Sequence, residues 1–171
     1  GTAELLEDWS CKRPDWVSVR RHVTNQGKGA AVRTGLREVT GDYVIIQDGD
    51  LEYDPSDYPK LLAPLVEGDA RVVYGSRVLG NNPRMFFSQR VGNVVLTTLT
   101  NLLYRASLTD METCYKLFAR EVVSGMTLTG NRFNMEPELT AKVLRQGLDI
   151  VEVPVSCVGR PYTEGKKINW R

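Results

Sequence analysis

Residues 43–55 read YVIIQDGDLEYDP, a short apolar run that ends in a cluster of acids. Tyr43–Ile46 is rich in β-branched residues, which is typical of a strand buried on both faces in a helix-covered parallel sheet. Asp48 and Asp50 follow at the strand end, where open α/β sheets bind ligands, and Gly49 lets the backbone bend so that both carboxylates converge. Mg²⁺ takes one or two carboxylates together with water and substrate phosphate. The stretch therefore predicts a site for a hard cation.

Two other interpretations compete for this acidic stretch. Asp-Gly-Asp is also a common turn sequence, and the three residues alone do not separate a solvated turn from a metal site. An EF-hand loop does not fit, because its sixth position would be Tyr53 instead of Gly and its twelfth would be Pro59 instead of Glu. The strand before the acids and the helix predicted after Ser56 favour the metal.

Length and composition limit the classes of protein. A chain of 171 residues fits one domain with a real core, and a net charge of +1 gives no sign of nucleic-acid binding. Cys11, Cys114 and Cys157 are odd in number and widely spaced, which indicates reduced thiols in the cytoplasm instead of disulfides or zinc. The single histidine, His22, argues against multi-histidine metal sites and a Ser-His-Asp triad.

A glycine-rich turn at residues 25–29 is the second feature of interest. It lies between a predicted strand, Trp16–Val23, and a predicted helix, Ala30–Val39, so that Lys28 and Gly29 stand where helix N-termini bind anions. It is not a P-loop, since no Ser or Thr follows the lysine. A purely structural helix cap and a phosphate or nucleotide contact both remain open from the residues alone.

Periodicity predicts the remaining elements. Further strands are expected over 70–74, 117–118 and 148–158, the last at a sheet edge because it contains Pro154. Helices are expected over 1–9, 57–66, 91–104, 120–126 and 133–145. Helix 91–104 suits either the core or, with the basic and aromatic residues 84–90 beside it, an interface with a membrane or lipid. The basic end, 159–171, is a predicted loop that is either a solvated tail or a binding segment.

Six segments, in this order, resemble family 2 glycosyltransferases with the GT-A fold, of the polyprenyl- or dolichyl-phosphate sugar synthase type. They are NQGKGAAVRTGL (25–36), QDGDLEYDP (47–55), YGSR (74–77), LTDMETCYKLF (108–118), FNMEPELTAKV (133–143) and VPVSCVGRPYTEGKKINWR (153–171). The resemblance implies an α/β fold with a mostly parallel, helix-flanked sheet. It also implies one GT-A domain over 1–171 that lacks the family's N-terminal strands, because the family's Pro-x-x-Asn-Glu and Asp-Asp-Gly-Ser segments do not occur here.

The implied activity is a metal-dependent, inverting transfer of a sugar from a nucleotide-sugar to a polyprenyl phosphate, using Mg²⁺ or Mn²⁺. UDP-glucose is favoured over GDP-mannose from the resemblance of residues 113–116. The implied partners are these two substrates and the cytoplasmic face of a membrane, with no nucleic acid. Two alternatives are a GT-A transferase that acts on a saccharide or protein hydroxyl and a non-catalytic nucleotide-sugar-binding module.

The resemblance also assigns residues. The nucleotide would be bound by Lys28, Gly29, Asp48 and Asp50, and the metal by Asp48, Asp50 and Glu52. Asp48 would hold the ribose or the metal, Asp50 would bind the metal directly, and Glu52 stands where the family often has Gln. The catalytic set would be Arg77, Lys116 and Asp110, with Asp110 at the position of the family's candidate base. The acceptor would be bound by Arg90, Arg160, Lys166 and Lys167. Since a phosphate monoester is mostly ionised at neutral pH, Asp110 is expected to position groups and tune the site's charge more than to remove a proton.

Overall fold

The structure of the protein is a computed structural model that describes residues 1–80 and 87–159. Its strands are β1 (Tyr43–Ile46), β2 (Val72–Ser76), β3 (Lys116–Ala119) and β4 (Val151–Pro154). Its helices are α1 (Thr2–Lys12), α2 (Lys28–Leu36), α3 (Tyr58–Val66), α4 (Phe87–Tyr104), α5 (Arg120–Val123) and α6 (Met135–Arg145). A 3₁₀ turn, Pro55–Asp57, leads into α3.

The four strands form one mixed sheet in the order β1-β3-β2-β4. Strand β3 runs antiparallel to both β1 and β2, whereas β2 and β4 are parallel. The expected α/β architecture is confirmed, and three strands do share one direction. The pairing, however, is not mostly parallel, because β3 is reversed between two of them. An apolar run shows that a strand is buried but not which way it runs, since either direction buries the same side chains.

The core lies between the sheet and helices α3, α5 and α6. Strands β2 and β3 are buried along their whole length, and Leu61 of α3 and Leu139 of α6 pack against them. Strand β1 lies at the edge of the described sheet, and only Ile46 at its end is buried. Burial of the Tyr43–Ile46 run on both faces was therefore a wrong expectation. Strand β4 lies at the other edge, as Pro154 predicted.

The predicted strand Trp16–Val23 is also wrong. Its residues form turns and irregular backbone, and Trp16 is 87% exposed. Alternating apolar and polar residues favour a strand only where a neighbouring strand supplies hydrogen bonds. No strand among the described residues pairs with this segment.

Helix α4 turns its polar face towards the protein. Asn93, Thr97 and Thr100 are buried, whereas the apolar side chains opposite them are exposed, up to 77% at Leu102 and 66% at Leu103. The core alternative for this helix is therefore wrong for its apolar face. Within residues 1–80 and 87–159, no helix is both long and apolar enough to cross a bilayer.

Replacing the exposed leucines of α4 should leave the fold intact. Leu102→Gln and Leu103→Gln should each change the free energy of unfolding by less than about 0.5 kcal/mol, because both side chains already contact water. Leu139→Ala should cost about 2–5 kcal/mol, because it opens a cavity in the core. Urea unfolding, monitored by circular dichroism, measures these changes in the free energy of unfolding. A loss for Leu102→Gln as large as that for Leu139→Ala would show that this face of α4 is packed.

Candidate active site

The acidic segment after β1 forms a tight turn. The backbone N–H of Asp48 donates to Cys114 Sγ over 3.2 Å, and Asp50 Oδ1 accepts from the N–H of Glu52 over 3.1 Å. Leu51 between them has a φ of 61°, the left-handed conformation that a non-glycine residue adopts at some cost in free energy. Both aspartates are partly exposed, at the carboxyl end of β1. The sequence predicted this placement.

Lys28 reaches this turn from the N-terminus of α2. Its Nζ lies 2.9 Å from Asp48 Oδ2 and 2.8 Å from Glu136 Oε1. Burial alone would lower the pKa of Lys28, but the carboxylates of Glu136 and Asp48, with Cys114, raise it above its ordinary value. Lys28 is therefore a fixed cation beside Asp48, and the structure brings together these two predicted donor-site residues.

Gly29 has a packing explanation. A Cβ at this position would clash with the carbonyl oxygen of Gly130, so a larger residue would push α2 away from that loop. The glycine is buried. Its role in this structure is close packing, whereas its predicted contact with the nucleotide stays a prediction.

Asp110, in the segment before β3, forms an ion pair with Arg77, the residue after β2. Arg77, which follows β2, donates Nε to Asp110 Oδ2 over 2.7 Å and an Nη to Oδ1 over 2.8 Å, and its backbone N–H adds a 2.9 Å bond to Oδ2. Asn93 of α4 donates to Oδ1 over 2.9 Å. Burial alone would raise the pKa of Asp110, but the hydrogen bonds and charge of Arg77 outweigh it, so the pKa is lowered. The carboxylate is 0% exposed and stays ionised.

This geometry does not suit a base at Asp110. A general base must lie within reach of the proton that it removes and must have a pKa near the working pH. Asp110 is enclosed, its oxygens accept bonds from Arg77 and Asn93, and its pKa is low. Its contacts are those of a residue that positions Arg77.

Lys116, the first residue of β3, lies in the interior of the protein. It is fully buried, with Nζ 2.7 Å from Glu136 Oε2 and 4.7 Å from the centre of the Tyr74 ring. Its ammonium also donates to the carbonyl oxygens of Met111 and Thr113. The resemblance placed Lys116 in the catalytic set; in this structure its buried ammonium anchors the 111–113 backbone, and a direct part in the transfer stays a prediction.

A three-carboxylate metal site is not assembled. Within the described residues, no group of three or more Asp, Glu, His or Cys side chains is placed to hold a metal ion. Asp48 and Asp50 still offer two hard oxygen ligands at an accessible strand end, which is the number that Mg²⁺ uses beside substrate phosphates. The residues therefore fit a metal that is bound partly by these two carboxylates and partly by the phosphates of the donor. Whether Glu52 is a further ligand stays a prediction.

The predicted acceptor residues are placed only in part. Arg90 is exposed on α4, while Arg160, Lys166 and Lys167 lie outside the described residues. Their contacts with an acceptor stay predictions.

Three polar residues of the site, of which Glu136 and Asn93 are buried, were not identified from the sequence. Glu136 joins the two lysines, Glu152 of β4 accepts from the N–H groups of Thr109 and Asp110 over 2.7 and 3.0 Å, and Asn93 binds Asp110. One signal was present: Glu136 shares the helical spacing of the buried residues Leu139 and Val143, so it stands on the face of α6 that packs inward.

Comparison with solved structures defines the fold class. The chain superposes on glucosyl-3-phosphoglycerate synthase from Mycobacterium tuberculosis, solved with Mn²⁺, UDP-glucose and phosphoglyceric acid, with a TM-score of 0.61 and 22% identity over 86% of this chain and 51% of that one. The GT-A fold expected from the sequence is thereby confirmed.

Comparison of sequences gives the family. The model of glycosyl transferase family 2 matches residues 1–126, so the chain belongs to that family. It is 32% identical to the glycosyltransferase AglJ of Haloferax volcanii over 94% of this chain and 51% of that protein. It is 27% identical to the UDP-N-acetylglucosamine–dolichyl-phosphate N-acetylglucosaminyltransferase of Methanococcus voltae over 87% of this chain and 62% of that protein. The chain thus spans about half the length of the curated relatives that it matches.

Removing the charge of Asp110 should destabilise the fold in a pH-dependent way. Asp110→Asn should lower the free energy of unfolding by about 3 kcal/mol at neutral pH, because it leaves the Arg77 guanidinium without its carboxylate. The folded-state pKa is lowered, so this stabilisation is complete above the unfolded pKa of about 3.9 and is lost as the pH falls through the folded value.

Urea unfolding of wild type and Asp110→Asn from neutral pH down to about pH 3 measures this difference, with the exposed Asp69→Asn as a control. The gap between wild type and Asp110→Asn should be largest at neutral pH and shrink in acid. A gap that stays constant or widens in acid would contradict the lowered pKa.

Proposed function

We propose that this chain carries the donor site and catalytic residues of a glycosyltransferase that uses a nucleotide-sugar and a divalent metal, with a polyprenyl phosphate as acceptor. UDP-glucose is the favoured donor. The observation that supports this most is the cluster at the carboxyl end of β1, where Asp48, Asp50 and the Lys28 ammonium stand together. The dolichyl-phosphate transferase of Methanococcus voltae supports the acceptor.

The donor chemistry fits the charges of this cluster. Transfer of the sugar leaves negative charge on the nucleoside diphosphate, and positive groups fixed beside it lower the energy of that state. A bound Mg²⁺ or Mn²⁺, held by Asp48 and Asp50, would supply part of this stabilisation. Lys28 supplies another fixed positive charge, and Arg77 is held in place by Asp110.

The burial of Asp110 favours a phosphate acceptor over a hydroxyl acceptor. A sugar or protein hydroxyl has to lose a proton as it attacks, and that requires a base. A phosphate monoester is already mostly ionised at neutral pH. Because Asp110 is enclosed and bound to Arg77, the site is better suited to an acceptor that needs no base.

Helix α4 supports contact with the membrane that holds such an acceptor. Its exposed apolar side chains include Val95, Leu102 and Leu103. The helix contains no acidic residue, and exposed Arg90 and Arg105 stand near its two ends. Apolar side chains bordered by cations bind the interface of anionic membranes. We propose that this face of α4 rests on the cytoplasmic surface of the membrane.

Nucleotide binding should depend on the metal and on Asp50. Calorimetric titration of UDP, GDP and their sugars should show binding of one nucleotide class in Mn²⁺ that weakens by about tenfold or more in Asp50→Asn, which keeps the turn acceptor but loses the charge. Asp69→Asn, which removes an exposed acid elsewhere, is the matched control. Binding that ignores both Mn²⁺ and Asp50→Asn would refute the proposed metal site.

Membrane binding should depend on the exposed leucines. The wild-type chain should cosediment with vesicles of phosphatidylcholine and phosphatidylglycerol, and the double variant Leu102→Gln/Leu103→Gln should bind about tenfold or more weakly, since two apolar side chains are lost from the lipid. Val66→Gln, which replaces an exposed valine of α3, should bind as the wild type does. If the double variant binds vesicles as tightly as the wild type, this face of α4 is not the membrane contact.

A further inference from the structure

Glu136 is a buried carboxylate beside the predicted donor site. It lies in the first turn of α6 and is 3% exposed. Its two oxygens serve different lysines: Oε1 is 2.8 Å from Lys28 Nζ, and Oε2 is 2.7 Å from Lys116 Nζ. One carboxylate therefore joins a lysine that reaches the site to a lysine that is fully buried.

The lysine that reaches the site has two partners of different kinds. Asp48 is partly exposed and is a predicted ligand of the metal, whereas Glu136 is enclosed and out of reach of solvent. When Asp48 binds a cation, its attraction for the Lys28 ammonium weakens. Glu136 is not a predicted metal ligand, so its contact with Lys28 would keep the ammonium near the end of β1 in that state.

The other oxygen of Glu136 acts on the neighbouring segment. Lys116 donates to the carbonyl oxygens of Met111 and Thr113. These residues closely follow Asp110, the carboxylate that binds Arg77. A buried carboxylate is strongly unfavourable unless it is paired. The position of α6 is therefore tied to both lysines at once.

We infer that Glu136 is a positioning residue of the donor site, which holds the Lys28 ammonium ready for the donor diphosphate while Asp48 is engaged by the metal. This inference rests on the proposed function. Without Glu136, Asp48 is the carboxylate that remains paired with Lys28 within the described part of the chain, so the lysine and the metal would compete for the same oxygens. Loss of Glu136 should therefore weaken metal-dependent nucleotide binding through Lys28.

A double-mutant cycle tests this route. UDP and GDP are titrated in Mn²⁺ into wild type, Glu136→Gln, Lys28→Gln and the double variant. Glu136→Gln should weaken binding of the preferred nucleotide by about tenfold, the size expected for a hydrogen-bonded charge, and should raise the Mn²⁺ concentration required. In the Lys28→Gln background the same change should have less than about a twofold effect, because the two residues act as one unit.

The control variants separate positioning from loss of structure. Glu121→Gln removes a carboxylate from an exposed pair with Arg71 and should bind as the wild type does. Glu136→Gln leaves Lys116 buried without its partner, so Glu136→Gln/Lys116→Met is made as well, since it removes both buried charges and keeps the core neutral. If Glu136→Gln alone does not fold, all four proteins of the cycle are made with Lys116→Met as well.

Each outcome is decisive. Wild type that binds neither nucleotide in Mn²⁺ would overturn the proposed function, and this inference with it. Wild-type binding that Glu136→Gln leaves within about twofold would overturn the inference alone, because binding would not need the carboxylate. An equal loss in the presence and absence of Lys28 would also overturn it, since Glu136 would then act only on the fold.

Discussion

The site depends on one constraint: a charge that is removed from water has to be paired inside the protein. Asp110, Glu136 and Lys116 are all buried, and each has an opposite charge within hydrogen-bond distance. These pairs join α2, α6, the end of β2 and the segment before β3. Leaving any one of these charges unpaired is costly, so the pairs favour the arrangement in which the strand ends and loops meet at one edge of the sheet.

The same burial divides the charged residues into two groups. Asp48, Asp50 and Lys28 remain partly exposed and can contact a ligand, whereas Asp110, Glu136 and Lys116 are enclosed and act on their neighbours. Residues of both groups look alike in the sequence, where an acid or a lysine gives no sign of its depth. The two groups meet at one ion pair, in which the enclosed Glu136 contacts the Lys28 ammonium and helps to keep it protonated.

Local patterns predicted most elements. The apolar runs before Asp48 and Arg77 are strands, and the amphipathic pattern of α6 is a helix close to its predicted bounds. Each of these signals is contained in a few neighbouring residues. The acidic turn was predicted for the same reason, because it stands at the end of a recognisable strand, whereas its shared site with Lys28 was implied by the family resemblance.

Features set by distant contacts were not predicted. The reversal of β3 and the irregular backbone of Trp16–Val23 both depend on which strand lies alongside. The inward polar face of α4 exists because Asn93 binds Asp110 and Thr97 Oγ1 accepts from the N–H of Met111. A periodicity argument assigns the apolar face to the core by default and cannot see such partners.

The central claim is that the carboxyl end of β1 binds a metal together with a nucleoside diphosphate. Paramagnetic broadening by Mn²⁺ in the presence of UDP or GDP, observed on backbone amide signals of the ¹⁵N-labelled chain, tests it most directly. We predict that the signals of residues 48–51, Lys28 and Arg77 broaden first and recover when Mg²⁺ is added in excess. Broadening that begins at other acidic residues, such as those of α1, and leaves residues 48–51 sharp would contradict the account.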